Sequence, residues 1–162
     1  MADYIVHEEA EQLAETLIPA YHPHLTGIKI AHLLKLMPVP KQSKKPKKQP
    51  RQGRKITMAK TSKVSAKMQA LAAQDFKFVI EYDSNIWEGL DADKKRALVD
   101  HELCHAGNDA DGCYLRHHDL EDFSSIISRH GMWRNDIIRF METVDEKFHE
   151  DAGTPQMESA GQ

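Results

Sequence analysis

Between Ala10 and Ile18 the apolar residues Ala10, Leu13, Ala14, Leu17 and Ile18 recur at the three-and-four spacing of one helical face. That spacing predicts a helix over residues 7–18, ended by Pro19 and the Tyr21-His-Pro-His24 segment. A first strand is expected at Gly27–Leu34, before Pro38 and Pro40, and a second around Ile56–Val64. Asp75–Tyr82 carries the clearest strand pattern, with Phe76, Phe78, Ile80 and Tyr82 alternating against more polar neighbours, and Asp83-Ser-Asn85 supplies a turn after it. Asp91 is placed to cap a helix that runs through Ala97-Leu98-Val99 and is stopped by Gly107 and the Asn108–Gly112 cluster. Asp119 is expected to cap another helix through Arg129, ended by Gly131. A last helix is expected over 133–148, with Trp133, Ile137, Phe140, Met141, Val144 and Phe148 inward. A helix, a few strands and then three helices make an α+β fold, expected as one domain over 1–149 with a disordered polar tail at 150–162.

Composition narrows the class. A chain of 162 residues that is 40% hydrophobic and 29% charged has the balance of a soluble globular domain, and no apolar run approaches the roughly 18 residues of a membrane span. The N-terminus is acidic and lacks the basic-then-apolar order of a secretory signal. Two cysteines, Cys104 and Cys113, are too few to staple a secreted domain, so a reducing cytoplasm is expected.

The net charge of −3 hides a polarised chain. No Asp or Glu occurs from Thr16 to Gln74, where thirteen of the 22 basic residues lie, leaving nine against all 25 acidic residues elsewhere. The centre of this part, Lys41–Lys55 within a loop at 38–55, combines Lys and Arg with Pro and Gln and is expected to be mobile. It reads either as a nucleic-acid-binding arm acting through counterion release, or as a solvated insertion that keeps the protein soluble. The loop has no aromatic residue on which a base could stack.

Six of the ten histidines follow the midpoint, and five of those lie between residues 101 and 130. Within them stands His101-Glu-Leu-Cys-His105. Positions four apart on a helix share a face, so His101 and His105 can hold one zinc ion at about 2.0–2.1 Å each. Glu102 lies about 100° further round, where it can reach a zinc-bound water as a general base without ligating. A catalytic zinc needs a third protein ligand, and His117, His118 and Glu121 follow a short loop. His118 is preferred, because a residue at the entrance of the helix capped by Asp119 can point back across a groove, and Glu121 is its rival. Cys104 reads as a small buried hydrophobe and Cys113, without a CxxC partner, as structural or free. Asp109–Gly112 resembles a calcium loop only faintly and reads as a turn. Tyr114, Arg129 and His130 are candidates for stabilising an oxyanion or orienting a ligand.

Three blocks in this order, Asp100-His-Glu-Leu-Cys-His105, His118-Asp-Leu-Glu-Asp-Phe123 and Arg129-His-Gly-Met-Trp133, resemble the phage metallopeptidase family, related to the SprT-like and WLM-type zinc peptidases. The resemblance runs from about Ile28 to Phe140 and takes in Phe78-Val-Ile80 and Trp87. It implies a minigluzincin-like domain, a small sheet of about three strands packed on helices. In those peptidases the third ligand is a histidine in a His-x-x-x-Phe-like context, which carries over to His118; the spacing to Phe123 differs, so Glu121 stays open. Some SprT-like relatives act on proteins attached to DNA, a role that the acid-free basic stretch would suit.

The expectation is therefore a zinc metallopeptidase of the HExxH type, with His101, His105 and His118 on the metal and Glu102 as base. It would hydrolyse a protein or peptide substrate, in the host cytoplasm if phage-encoded. The competing reading is a non-catalytic, zinc-stabilised phage accessory protein that binds nucleic acid or protein. Another zinc hydrolase, such as an amidase, would use the same ligands. Replacing Glu102 separates the first two readings, and deleting Lys41–Lys55 tests the nucleic-acid arm.

Overall fold

The alternation at Phe78, Ile80 and Tyr82 becomes an inner strand of a four-stranded sheet in the computed structural model, which describes residues 3–37, 57–121 and 124–152. Lys41–Lys55, Phe123 and residues 153–162 of the expected tail lie outside the described residues. The chain divides into two compact units, Met1–Arg116 and His117–Gln162.

The first unit opens with β1 (Asp3–Val6) and α1 (Glu8–Tyr21), followed by a short 3-10 turn at Pro23–Leu25. It continues with β2 (Ile30–Leu36), β3 (Ala59–Lys63), α2 (Ala66–Leu71), β4 (Phe78–Asp83), α3 (Ser84–Glu88) and α4 (Ala92–Cys104). A hairpin of β5 (Ala106–Asp109) and β6 (Gly112–Leu115) closes the unit. The sheet order is β1-β2-β4-β3, with β2 and β4 parallel and both edge strands antiparallel to their neighbours. The structure is thus α+β with a small mixed sheet, and six α-helices are present among the described residues.

Several expectations are moved. Pro19 does not end α1, which continues to Tyr21. A proline in the last turn removes only one amide donor there, a small loss beside the packing of the helix. The helix buries Ala10, Ala14 and Leu17, as its spacing predicts. The sheet gains a fourth strand, β1, whose four side chains are all exposed and so leave no periodic burial signal. Asp83 caps α3 through Asn85 and Ile86 rather than forming only a turn. Asp91 caps α4 as expected, accepting from the Lys94 amide at 2.9 Å.

Register decides what faces the helices. His32, Ile80 and Thr61 pair in one row across β2, β4 and β3, so they share a sheet face. On this face lie the buried Phe78, Ile80 and Tyr82, packed with Leu17 of α1 and with Leu98, Val99 and Leu103 of α4. Each such burial is worth about 1.5–3 kcal/mol. Three contacts lace α1 to α4 and its approach. Trp87 donates its indole N–H to Glu9 at 2.9 Å, Lys95 binds the same carboxylate at 3.0 Å, and His22 meets Asp100 at 2.6 Å.

The second unit holds α5 (Ser124–His130) and α6 (Asn135–Ala152). Asp119 does not cap a helix that starts beside it, because α5 begins at Ser124 and His118 sits in an irregular segment. Of the six residues expected inward on the last helix only Ile137 is buried, whereas Trp133, which precedes α6, and Phe140 and Phe148 are more than half exposed. The seven residues of α5 span roughly 10 Å and the eighteen of α6 roughly 27 Å, so α5 is too short to cover that apolar side. Arg134 ties the unit together, pairing with Asp136 at 2.9 Å, donating to the Glu121 carbonyl and lying over the Trp133 ring.

Candidate metal centre

His101, Glu102 and Cys104 occupy the last turn of α4, and His105 is its C-cap. The motif therefore lies at the helix end. The chain turns out of α4 at His105, whose amide bonds back to the Glu102 carbonyl, and runs directly into β5. Gly107 does not stop the helix; it belongs to the hairpin.

His101 and His105 point the same way. Their ring centroids are 5.1 Å apart at an edge-on angle of 82°, and each offers a ligand nitrogen within 4.8 Å of the other's. The His105 ring is fixed by its own hairpin. Its Nδ1 lies 2.7 Å from the Arg116 carbonyl, and the Arg116 amide donates to the His105 carbonyl at 2.8 Å. A carbonyl oxygen only accepts, so Nδ1 carries the hydrogen, and in the neutral ring the lone pair is on Nε2. That is the tautomer a metal ligand needs. The two residues present in the first unit thus fit a metal in spacing, and His105 also in the orientation of its ring.

Glu102 faces inward instead. Its residue is 4% exposed, and the Thr61 hydroxyl lies 2.6 Å from Oε2 and 2.9 Å from the Glu102 carbonyl. The strand row that presents Thr61 therefore also holds the carboxylate. Beyond it in the same row His32 meets Tyr82 at 3.1 Å. Burial, and then the Glu102 charge, pushes the Tyr82 phenol well above its ordinary range. Burial holds His32 down to about 4. Thr61 carries no sequence signal for this role, since it lies 41 positions from Glu102 and only the sheet register joins them.

His118 and Glu121 belong to the second unit, where His118 Nδ1 lies 3.8 Å from Glu121 Oε1. Arg129 and His130 end α5 in the same unit. Tyr114 lies on β6 opposite Gly107, with its ring over the glycine: a Cβ there would sit 2.5 Å from ring carbons. Asp109–Gly112 forms the hairpin turn, with Asp109 accepting from the Asp111 amide at 2.9 Å and Gly112 at φ +109°. Cys104 is exposed rather than buried, because it ends α4 on the side away from Leu103. Cys113 is half-buried against the core and reaches Asn108.

No helix among the described residues is long and apolar enough to cross a membrane. Neither the curated proteins nor the solved structures contain a match to this chain. One family model does match, over residues 2–154 and so nearly the whole chain; its description is "putative phage metallopeptidase", and the chain belongs to that metallopeptidase family.

Proposed function

We propose that this family member is a zinc-dependent peptidase of minigluzincin and SprT-like arrangement, with His101, His105 and His118 as ligands and Glu102 as general base. The observation that carries it is the His105 ring, whose Nδ1 is taken up by the Arg116 carbonyl so that Nε2 is the nitrogen that would ligate beside His101. The chain path supports His118. Arg116 is hydrogen-bonded to His105 in both directions, and the two residues beyond it span at most about 7 Å. Glu121, 3.8 Å from His118 Nδ1, is near enough to serve that ring as a carboxylate partner, in keeping with His118 as the ligand.

A bound zinc ion would acidify water and polarise the scissile carbonyl. The chain's own contribution lies in Glu102. Thr61 holds Oε2, which leaves Oε1 to take a proton from the attacking water and return it to the leaving amine. Burial of this carboxylate keeps competing solvent away from the proton path. The substrate class that follows is a protein or peptide chain.

The test is cleavage of a mixed peptide library by the zinc-loaded chain, read by mass spectrometry. Glu102→Gln should keep its zinc and lose about 10²–10⁴-fold in rate. Undiminished cleavage by that variant would overturn the mechanism. A zinc content unchanged by loss of both His101 and His105 would overturn the ligand assignment.

A further inference from the structure

The end of α4 and its C-cap carry two pairs of side chains that could hold a metal, not one. His101 and His105 form the first. Asp100 and Cys104 are also four apart and lie on the adjoining face, about 100° round. Facing them is His22, the residue that caps the C-terminus of α1. Its backbone is pinned on both sides, the amide to the Ile18 carbonyl at 2.9 Å and the carbonyl to the Leu25 amide at 2.8 Å. The ring is therefore delivered to α4 from a fixed point and is buried, at 5% exposure. His22 Nε2 lies 2.6 Å from Asp100 Oδ1, and the His22, Asp100 and Cys104 ligand atoms all fall within 4.8 Å of one another.

We propose that His22, Asp100 and Cys104 form a second metal site, distinct from the centre at His101 and His105 and selective for zinc or a similar thiophilic divalent ion. The donor set decides the metal. Imidazole, carboxylate and thiolate together suit zinc, while calcium and magnesium call for oxygen donors throughout. Tetrahedral zinc with bonds of about 2.0–2.3 Å spaces its donors about 3.3–3.8 Å apart. The present cluster brackets that spacing. The His22–Asp100 contact opens by about 1 Å, and the ion replaces the hydrogen shared between them. Asp100 and Cys104 are solvent-facing, so ion entry needs no opening of the core, and a fourth position is left for water. Bound there, the ion clips the end of α1 to the helix that carries His101 and His105, at the far end of the seam from the Glu9–Lys95 pair.

Cobalt(II) titration of the full chain reads both sites together, because only a thiolate ligand gives a sulfur-to-cobalt charge-transfer band. The expected result is two ions per chain and that band. Cys104→Ser, at an exposed position that tolerates it, should remove the band and one ion. Cys113→Ser should keep both, and His101→Ala should lose one ion while keeping the band. Absence of the band, or its survival in Cys104→Ser, overturns this site and leaves the His101–His105 centre untouched. A band at one ion per chain, lost in Cys104→Ser and unchanged in His101→Ala, upholds this site and counts against the other.

Discussion

The Thr61 hydroxyl lies 2.6 Å from the carboxylate and 2.9 Å from the carbonyl of Glu102, gives its one hydrogen to the nearer carboxylate oxygen, and so anchors the end of α4 to an edge strand of the sheet. A buried carboxylate without a donor is costly, and a hydrogen bond to a charged group is worth about 1.5–3 kcal/mol. Thr61→Val keeps the shape and removes the donor. It should lower stability by about that amount in urea unfolding, and slow peptide cleavage as the carboxylate loses its fixed orientation. Thr61→Ser should restore most of both. Equal stability of the Val and Ser variants would show that the hydrogen bond contributes nothing.

Gly107 and Tyr114 make a second checkable contact. With ring carbons 2.5 Å from where a Cβ would stand, Gly107→Ala forces the Tyr114 ring aside. Overpacking of this kind costs about 1–3 kcal/mol. Tyr114→Ala alone should cost less, and adding it to Gly107→Ala should recover most of the loss. A double-mutant cycle by thermal or urea unfolding reads this coupling directly. Additive effects would mean that the two residues do not compete for the same space.

Acid should weaken the fold through the histidines behind the sheet row. Burial, reinforced by the nearby His7, lowers His32 from 6.5 to about 4, and burial also lowers His7, against the opposing pull of Glu9. His7 Nε2 is buried without a hydrogen-bond partner among the described residues, which sharpens the cost of charging it. Between pH 6.5 and 4 the unfolded chain takes up a proton that the folded His32 refuses. Stability is therefore complete above about 6.5 and falls as pH drops towards 4, by up to roughly 3 kcal/mol from His32. Urea midpoints measured from pH 7 to 4.5 should show the slope, and His32→Asn, which keeps a polar partner for Tyr82 but does not titrate, should flatten it. An unchanged slope in that variant would move the effect to other groups.

These residues also show where the sequence was readable. The strand at Phe78–Asp83 and the buried face of α1 follow from periodicity, because both elements bury one side against the same core. The shared face of His101 and His105 follows from spacing alone. Thr61, His22 and the Arg116 carbonyl do not, since each reaches its partner through register or a chain reversal, and local pattern carries no record of either. The exposed β1 escapes notice because alternation marks a strand only when one face is buried. Cys104 resembles a core residue by its place beside an apolar run, and it is the end of α4 that leaves it exposed.

Metal removal gives the last test. The buried cluster of the first unit, from Ala10 and Leu17 through Phe78, Ile80 and Tyr82 to Val99 and Leu103, contains no proposed ligand. Its packing should therefore persist without an ion, unlike a small zinc module whose folding energy is the metal itself. Chelation should abolish peptide cleavage while the near-ultraviolet circular dichroism of Trp87 and Tyr82 remains and urea unfolding stays cooperative. Zinc added back should raise stability by mass action alone, about 2.7 kcal/mol at a hundredfold excess over the dissociation constant for each site filled. His105→Ala should lose the part of that gain that belongs to its centre. Collapse of the near-ultraviolet signal on chelation would show instead that the metal is a structural core of the domain, and would contradict the division between scaffold and site drawn from the burial pattern.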